Sequence, residues 1–418
     1  MICGIIIRVV GLSAKAIISQ EGCRCMIDFD ESRQMALSLW PRLNRDPFCD
    51  GLPDEVLAWA LAIQAIPAPT FDEAARADYV AGQFNALGLR DVVIDERFNV
   101  YGRLAASSFR TGAAVMVVAH TDTVFPAATD LTIREAGEDI YGPGLGDNSL
   151  GVAGLLGVAA GLRRLGIPLR RDVWFVATSR EEGLGDLGGM RMAFERLRGE
   201  VSAVVNIEGM AYGHVYHEGI AVRRLHIVAQ AEGGHSWAHY GNASAIHGLM
   251  RLGAAIAEIN PPQKPRTTLN IGVIGGGQSV NTIASHAEMW LDMRSETAAE
   301  LRKLEESVRR HIKQMTADDL AFRVDVVGDR PAGRIPAEHG LVRLALDVLD
   351  RMGVRGTLAT GSTDGNIPLA AGCPTVTLGV TRGSNAHRID EYIERAPIAD
   401  GVRQLLCVVA ALTVDSTG

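Results

Sequence analysis

Several acidic and imidazole side chains stand directly after apolar runs. In "VMVVAHTDTV" (115–124) such a run ends in His120 and Asp122. Side chains at i and i+2 of a strand point the same way, so both would project together from a strand end. After "DVWFVATSR" come Glu181 and Glu182, and after "VSAVVNI" comes Glu208. "YGPGLGDNSLG" sets Asp147 and Asn148 ahead of a small-residue helix, and "VTRGSNAHRIDEY" offers His387 beyond the last apolar run. Taken singly, each is ordinary: a strand-end His is commonly structural, paired glutamates are commonly solvated, and Gly-Asp commonly makes a turn. Ligands of open α/β sheets bind beyond the carboxyl ends of the strands, which would bring these groups to one edge. His, Asp and Glu without Cys form the donor set of a divalent-metal site that stays open to substrate. Imidazole suits zinc, cobalt or manganese, and a carboxylate can bridge two ions.

The elements that would position these residues follow from patterning. The chain has 418 residues, 47% hydrophobic and 22% charged, which is the composition of a globular protein of two domains. Helices are expected from residue 53, over "FDEAARADYVAGQFNALGL" and over "NSLGVAGLLGVAAGLRRLG". They alternate with the short continuous apolar strands "AAVMVVAH", "DVWFVATS" and "VSAVVNIEG", the pattern of a largely parallel sheet flanked by helices. Between about 219 and 328 the order becomes β-α-β-β-α-β, a ferredoxin-like α+β unit, with Asn242 placed as the N-cap of its first helix. The expected organisation is therefore a catalytic α/β domain of residues 29–218 and 329–418, with an inserted lid of residues 219–328. Residues 1–28 are expected to form a loosely attached extension, apolar but without the basic start of a signal peptide.

Eight segments also stand in the order seen in the M20 metallopeptidases: "HTDTV", "YGPGLGDN", "SREEGLGDLGG", "NIEG", "GGHSW", "SVNTIASHAEMWLDMRSE", "GSTDGN" and "NAHRIDEY". The resemblance covers about residues 53–412. That clan includes glutamate carboxypeptidase, aminoacylase, acetylornithine deacetylase, succinyl-diaminopimelate desuccinylase and peptidase T. The resemblance implies one or two divalent transition-metal ions, zinc first and manganese or cobalt next. It makes His120, Asp147, Glu182, Glu208 and His387 the ligands, with Asp147 bridging. Asp122 resembles the acid that orients His120, and Glu181 the general base. Asn148 departs from the Asp common at that position, and the peptide before it is often cis in the family. On the lid, His235 resembles the histidine that reaches a partner subunit's active site and stabilises an oxyanion. Asn281 resembles a substrate contact and Arg294 the arginine that grips a substrate carboxylate. The lid would carry homodimerisation, helped by its exposed edge strands.

The expected activity is hydrolysis of an amide or peptide C–N bond in a small carboxylate-bearing substrate. An alternative keeps the metals and changes the electrophile: hydrolytic removal of ammonia from an aromatic amine, as in nitroanthranilate aminohydrolase, which the scaffold also resembles. A non-catalytic binding protein on this scaffold would be expected to lack Glu181 or a ligand. The net charge of −8 and the lack of a Lys/Arg block argue against nucleic acid or an anionic membrane as partner. No run of 18 apolar residues suggests a membrane span. Six scattered cysteines without a CxxC pair fit a reducing, cytoplasmic compartment. No GxSxG elbow supports a serine hydrolase, and "GPGLGDNSLG" lacks the spacing of a dinucleotide loop.

Overall fold

The computed structural model describes residues 27–106 and 112–414. The expected extension 1–28 lies outside the described residues except for Ile27 and Asp28. Helix α1 (Phe29–Leu43) begins where the Asp28 side chain accepts from the backbone N–H groups of Asp30 and Glu31. Helix α2 (Pro47–Gln64) starts six residues before the Pro53 expected to open it, because Asp46 caps Phe48 N–H and Pro47 takes the first turn. Helix α3 (Ala74–Ala86) follows.

Strands β1 (Arg90–Ile94), β2 (Val100–Leu104), β3 (Ala114–His120), β4 (Val173–Thr178), β5 (Val201–Glu208) and β6 (His214–Gly219) belong to one nine-stranded sheet. Its parallel centre pairs β4 with β3 and β3 with β5. Strand β3 is buried along its whole length. Val115, Val117 and Ala119 join the larger core on one face, while Ala114, Met116 and Val118 join a second cluster on the other. Burial on both faces is why the run reads as continuous rather than alternating. Helix α4 (Leu150–Arg164) carries Gly154, Gly157 and Gly161 at helical spacing. A Cβ there would come within 2.8, 2.6 and 2.8 Å of Val380, Val56 and Leu406 respectively, so the bare backbone lets neighbours pack closely. Helix α5 (Gly188–Leu197) covers the second face.

The chain then enters a second sheet. Strand β7 (Ala221–Ala231), helix α6 (Ala245–Ala257), strands β8 (Thr267–Gly276) and β9 (His286–Ser295), helix α7 (Ala298–Met315) and strand β10 (Leu320–Arg330) follow in that order. The strands pair antiparallel in the order β8-β9-β7-β10. Met289, Leu291 and Met293 of β9 turn into a core with both helices, and Trp290, Asp292 and Arg294 face the other way. Helix α6 is capped by Ser244, which accepts from His247 N–H, and not by Asn242. The Asn242 side chain donates instead to Gly233 O at 2.9 Å, fastening the loop before the helix.

The chain returns through α8 (Gly340–Arg351), β11 (Thr357–Gly361), α9 (Asn366–Ala370), β12 (Thr375–Gly379) and α10 (Ile398–Thr413). Strand β12 pairs parallel with β5 and β11 pairs parallel with β6. The two chain crossings between the sheets meet at Asn366. Its buried side-chain amide donates to Ile220 O and Pro331 O, both at 2.8 Å.

Candidate metal centre

The adjacent parallel strands β4, β3, β5 and β12 end together, and their ends supply the site. His120 is the last residue of β3 and Glu208 the last of β5, while Glu181 and Glu182 follow β4. Asp147 lies in the turn entering α4, and His387 in the loop after β12, in a left-handed conformation with φ 67°. His120 Nε2 lies 3.2 Å from Asp147 Oδ1 and 3.6 Å from Glu208 Oε2. His387 Nε2 lies 3.0 Å from both Asp147 Oδ2 and Glu182 Oε1. Three trios thus have ligand atoms within 4.8 Å of one another, His120–Asp147–Glu208, Asp147–Glu182–His387 and His120–Glu181–Glu182, and Asp147 belongs to the first two. One of its oxygens faces each imidazole.

Packed loops hold this arrangement. Asp122 is fully buried beside His120, whose Nδ1 lies 3.1 Å from Asp122 O and 3.6 Å from Asp122 Oδ1. The same carboxylate accepts from Glu181 N at 2.8 Å, Glu182 N at 3.0 Å and the Thr70 hydroxyl at 2.8 Å. It therefore sets the backbone of the two glutamates as well as the ring. The Asp147–Asn148 peptide is cis. Asn148 donates to Ile207 O and accepts from Gly209 N–H, both at 2.9 Å, tying the Asp147 turn to the end of β5. Glu391 Oε1 accepts from Gly146 N–H at 2.7 Å and Asp147 N–H at 3.1 Å.

Burial and close neighbours shift the titration of the cluster. Burial, reinforced by Asp147, pushes the Glu182 carboxyl up to about 7. Burial likewise raises Glu208, and it lifts Asp364, beneath the cluster, to about 8. Hydrogen bonds to Asp147 and Glu182 lift His387 to about 10. Burial works against charge on His120, yet Asp122, Asp147 and Glu208 hold its pKa well above the ordinary range. Burial works against charge on Asp147 as well, yet hydrogen bonds to His120 and His387 hold it below the usual carboxylate range. Oxygen and imidazole donors in two linked trios, with no thiolate, fit divalent cations.

A cavity of about 420 Å³ opens over the cluster, lined by its ligand candidates together with Glu181, Tyr216, Arg224, Arg294 and Arg330. Of the expected site residues, His120, Asp147, Glu181, Glu182, Glu208, His387 and Arg294 line it, with Asp122 buried behind. His235 and Asn281 do not. Both are exposed on the lid, where His235 pairs with Thr282 and Asn281 O accepts from Ser236 N–H at 3.0 Å. His239 and Tyr240, which follow His235 closely, are also outside it. Arg294 forms a salt bridge within the lid: Nε lies 2.7 Å from Asp292, which also holds Arg224 at 2.9 Å. Sequence reading did not single out Arg330, Arg224 or Glu391. Glu391 sits inside the quoted "RIDEY", but nothing local marks it.

Comparison with known proteins gives the family and the fold. Acetylornithine deacetylase of Photorhabdus laumondii is 24% identical over 328 residues, spanning 72% of this chain and 80% of that protein. A tripeptidase structure from Staphylococcus aureus superposes with a TM-score of 0.70 at 21% identity, over 86% of this chain and 98% of that one. A Bacillus subtilis structure described as a dinuclear metal binding peptidase from the M20 family superposes with a TM-score of 0.62 at 15% identity, over 86% of this chain and 98% of its own. The model of peptidase family M20/M25/M40 matches residues 116–411, and the chain belongs to that family.

Proposed function

We propose that this protein is a metal-dependent hydrolase of amide or peptide C–N bonds in small substrates that carry a carboxylate. One observation carries the reading: Asp147 is common to two His-carboxylate trios, with Glu181 on the wall of the same cavity. His120 and Glu208 would hold one ion, Glu182 and His387 the other, and Asp147 both. Divalent cations there supply the charge that acidifies water and polarises a carbonyl. Zinc is the first assignment for two imidazoles among carboxylates, before manganese or cobalt.

The chain's own residues do the rest. Glu181 takes a proton from water and returns it to the departing nitrogen. Asp122 fixes both His120 and the backbone that carries Glu181. Arg294, on the cavity wall, takes the substrate carboxylate in its guanidinium fork. The unit spanning residues 219–328, whose last strand runs on to Arg330, acts as lid and dimerisation surface, and His235 and Asn281 serve a partner subunit's cavity. Their exposed positions, with Trp237 and Val280 exposed beside them, support this assignment. A reducing cytoplasmic setting belongs to the same reading, supported by the free thiols Cys49, Cys373 and Cys407.

Glu181→Gln tests the base. Turnover of dipeptides or N-acyl amino acids should fall by about 10²-fold or more with bound ions retained. Wild-type turnover in that variant contradicts the assignment. Ammonia release from an aminobenzoate, with no amide cleavage, would transfer the protein to the deaminase reading.

A further inference from the structure

Among the cavity's arginines, Arg330 differs in kind. It is the last residue of lid strand β10, yet its guanidinium lies buried in the other half of the molecule. Nη1 donates to Glu181 Oε1 at 3.0 Å and to the Ser362 hydroxyl at 3.1 Å. Nη2 donates to the main-chain oxygen of the same glutamate. One guanidinium therefore grips both the carboxylate and the carbonyl of Glu181, which fixes side chain and backbone together. Arg294 contrasts with it. That side chain is 42% exposed and bonded through Nε to Asp292, which leaves its fork open to the cavity.

The loop carrying Glu181 depends on this grip. Arg180, Asp186 and Leu187 are non-glycine residues with φ of 55°, 54° and 59°. Such a loop keeps its shape only when its surroundings determine it. The end of the lid sheet provides that: Arg224 donates to Gly183 O, Asp329 N–H donates to Asp186 Oδ1 at 2.9 Å, and Arg191 donates to Asp329 O at 2.6 Å. The loop's two sides are thus tied to neighbouring lid strands.

We propose that Arg330 is a positioning residue for Glu181, contributed by the lid, so that the proton carrier is aligned only while the lid occupies this position. The inference rests on Glu181 being the base. Arg330 takes Oε1 of the carboxylate and leaves Oε2 to receive the proton. A lysine ammonium is a point donor and cannot hold carboxylate and carbonyl in one plane.

The test uses metal-loaded full-length enzyme with an N-acyl amino acid as substrate. Arg330→Met should lower kcat about 10²-fold, the scale of a misplaced catalytic group. KM should stay within about threefold and metal content should be unchanged. Arg330→Lys, which keeps charge and bulk and guards against misfolding, should keep KM and still lose about tenfold in kcat. Substrate binding is then measured by calorimetry in Glu181→Gln and in Glu181→Gln/Arg330→Met. Equal Kd values within about twofold are expected, because Arg330 acts through Glu181. A Kd weakened about tenfold by the second substitution makes Arg330 a substrate clamp and overturns the proposal. Wild-type kcat in Arg330→Lys and Arg330→Met overturns it while leaving Glu181 as base. Full activity of Glu181→Gln removes the base, and the positioning role with it.

Discussion

The two sheets of this molecule bury themselves by different rules. In the large sheet, β3, β4 and β12 are buried at every position, and the charged groups that β3 and β4 supply to the site lie where those strands end. In the lid sheet, β9 alternates strictly, with one face in a core and the other carrying Glu288, Trp290, Asp292 and Arg294. A strand covered on both faces has no room for a charged side chain along its length, because desolvating an unpaired charge costs too much. Its termini are the only outlets. A strand covered on one face can present charge at every second residue. The catalytic half therefore concentrates its titratable groups at one edge, and the lid spreads arginines across a surface that reaches over that edge.

Truncating one core residue in each half should separate them. Phe175→Ala, in the large sheet, should cost about 3–5 kcal/mol and Leu291→Ala, in the lid, about 2–5 kcal/mol. Calorimetry should show each moving a different part of the unfolding profile. A single transition shifted alike by both would break the distinction between two cores. Asp122→Asn comes next. One oxygen of Asp122 receives Glu181 N–H and the other Glu182 N–H, so an amide must turn its NH₂ toward a donor. Metal affinity or kcat/KM should fall about 10–100-fold, and an unchanged value would show that the strand-end acid is only structural. The smallest effect belongs to the lid's outer strand. Arg323 pairs with Asp325 at 2.8 Å with both side chains well exposed, so Arg323→Ala should alter stability by less than about 0.5 kcal/mol in urea unfolding. A larger loss would mean that this face is covered.

The strand ends were readable because β3, β4 and β5 announce themselves as apolar runs and a His or Glu follows each. The lid order was readable because burial on one face leaves a period of two. Local cues failed where tertiary packing decided. Pro53 lies inside α2, so the proline at which the helical spacing begins does not mark the start of the helix. Asn242 had the right chemistry for a cap, but Ser244 holds the extended backbone from which its oxygen meets His247 N–H. Arg330 and Glu391 support residues 149 and 244 positions away in the chain, a proximity no local pattern encodes. His235 and Asn281 lie beside one short strand pairing, where His235 pairs with Thr282 and Ser236 N–H donates to Asn281 O, and a single chain does not bring them to the cavity.

The central claim is that one carboxylate, Asp147, joins two cation positions. Elemental analysis of purified wild-type protein and of Asp147→Ala tests it directly. We expect about two divalent ions per wild-type chain and at most about one, weakly held, in the variant. A variant with the full wild-type complement, or an active wild-type enzyme free of metal, would contradict the account.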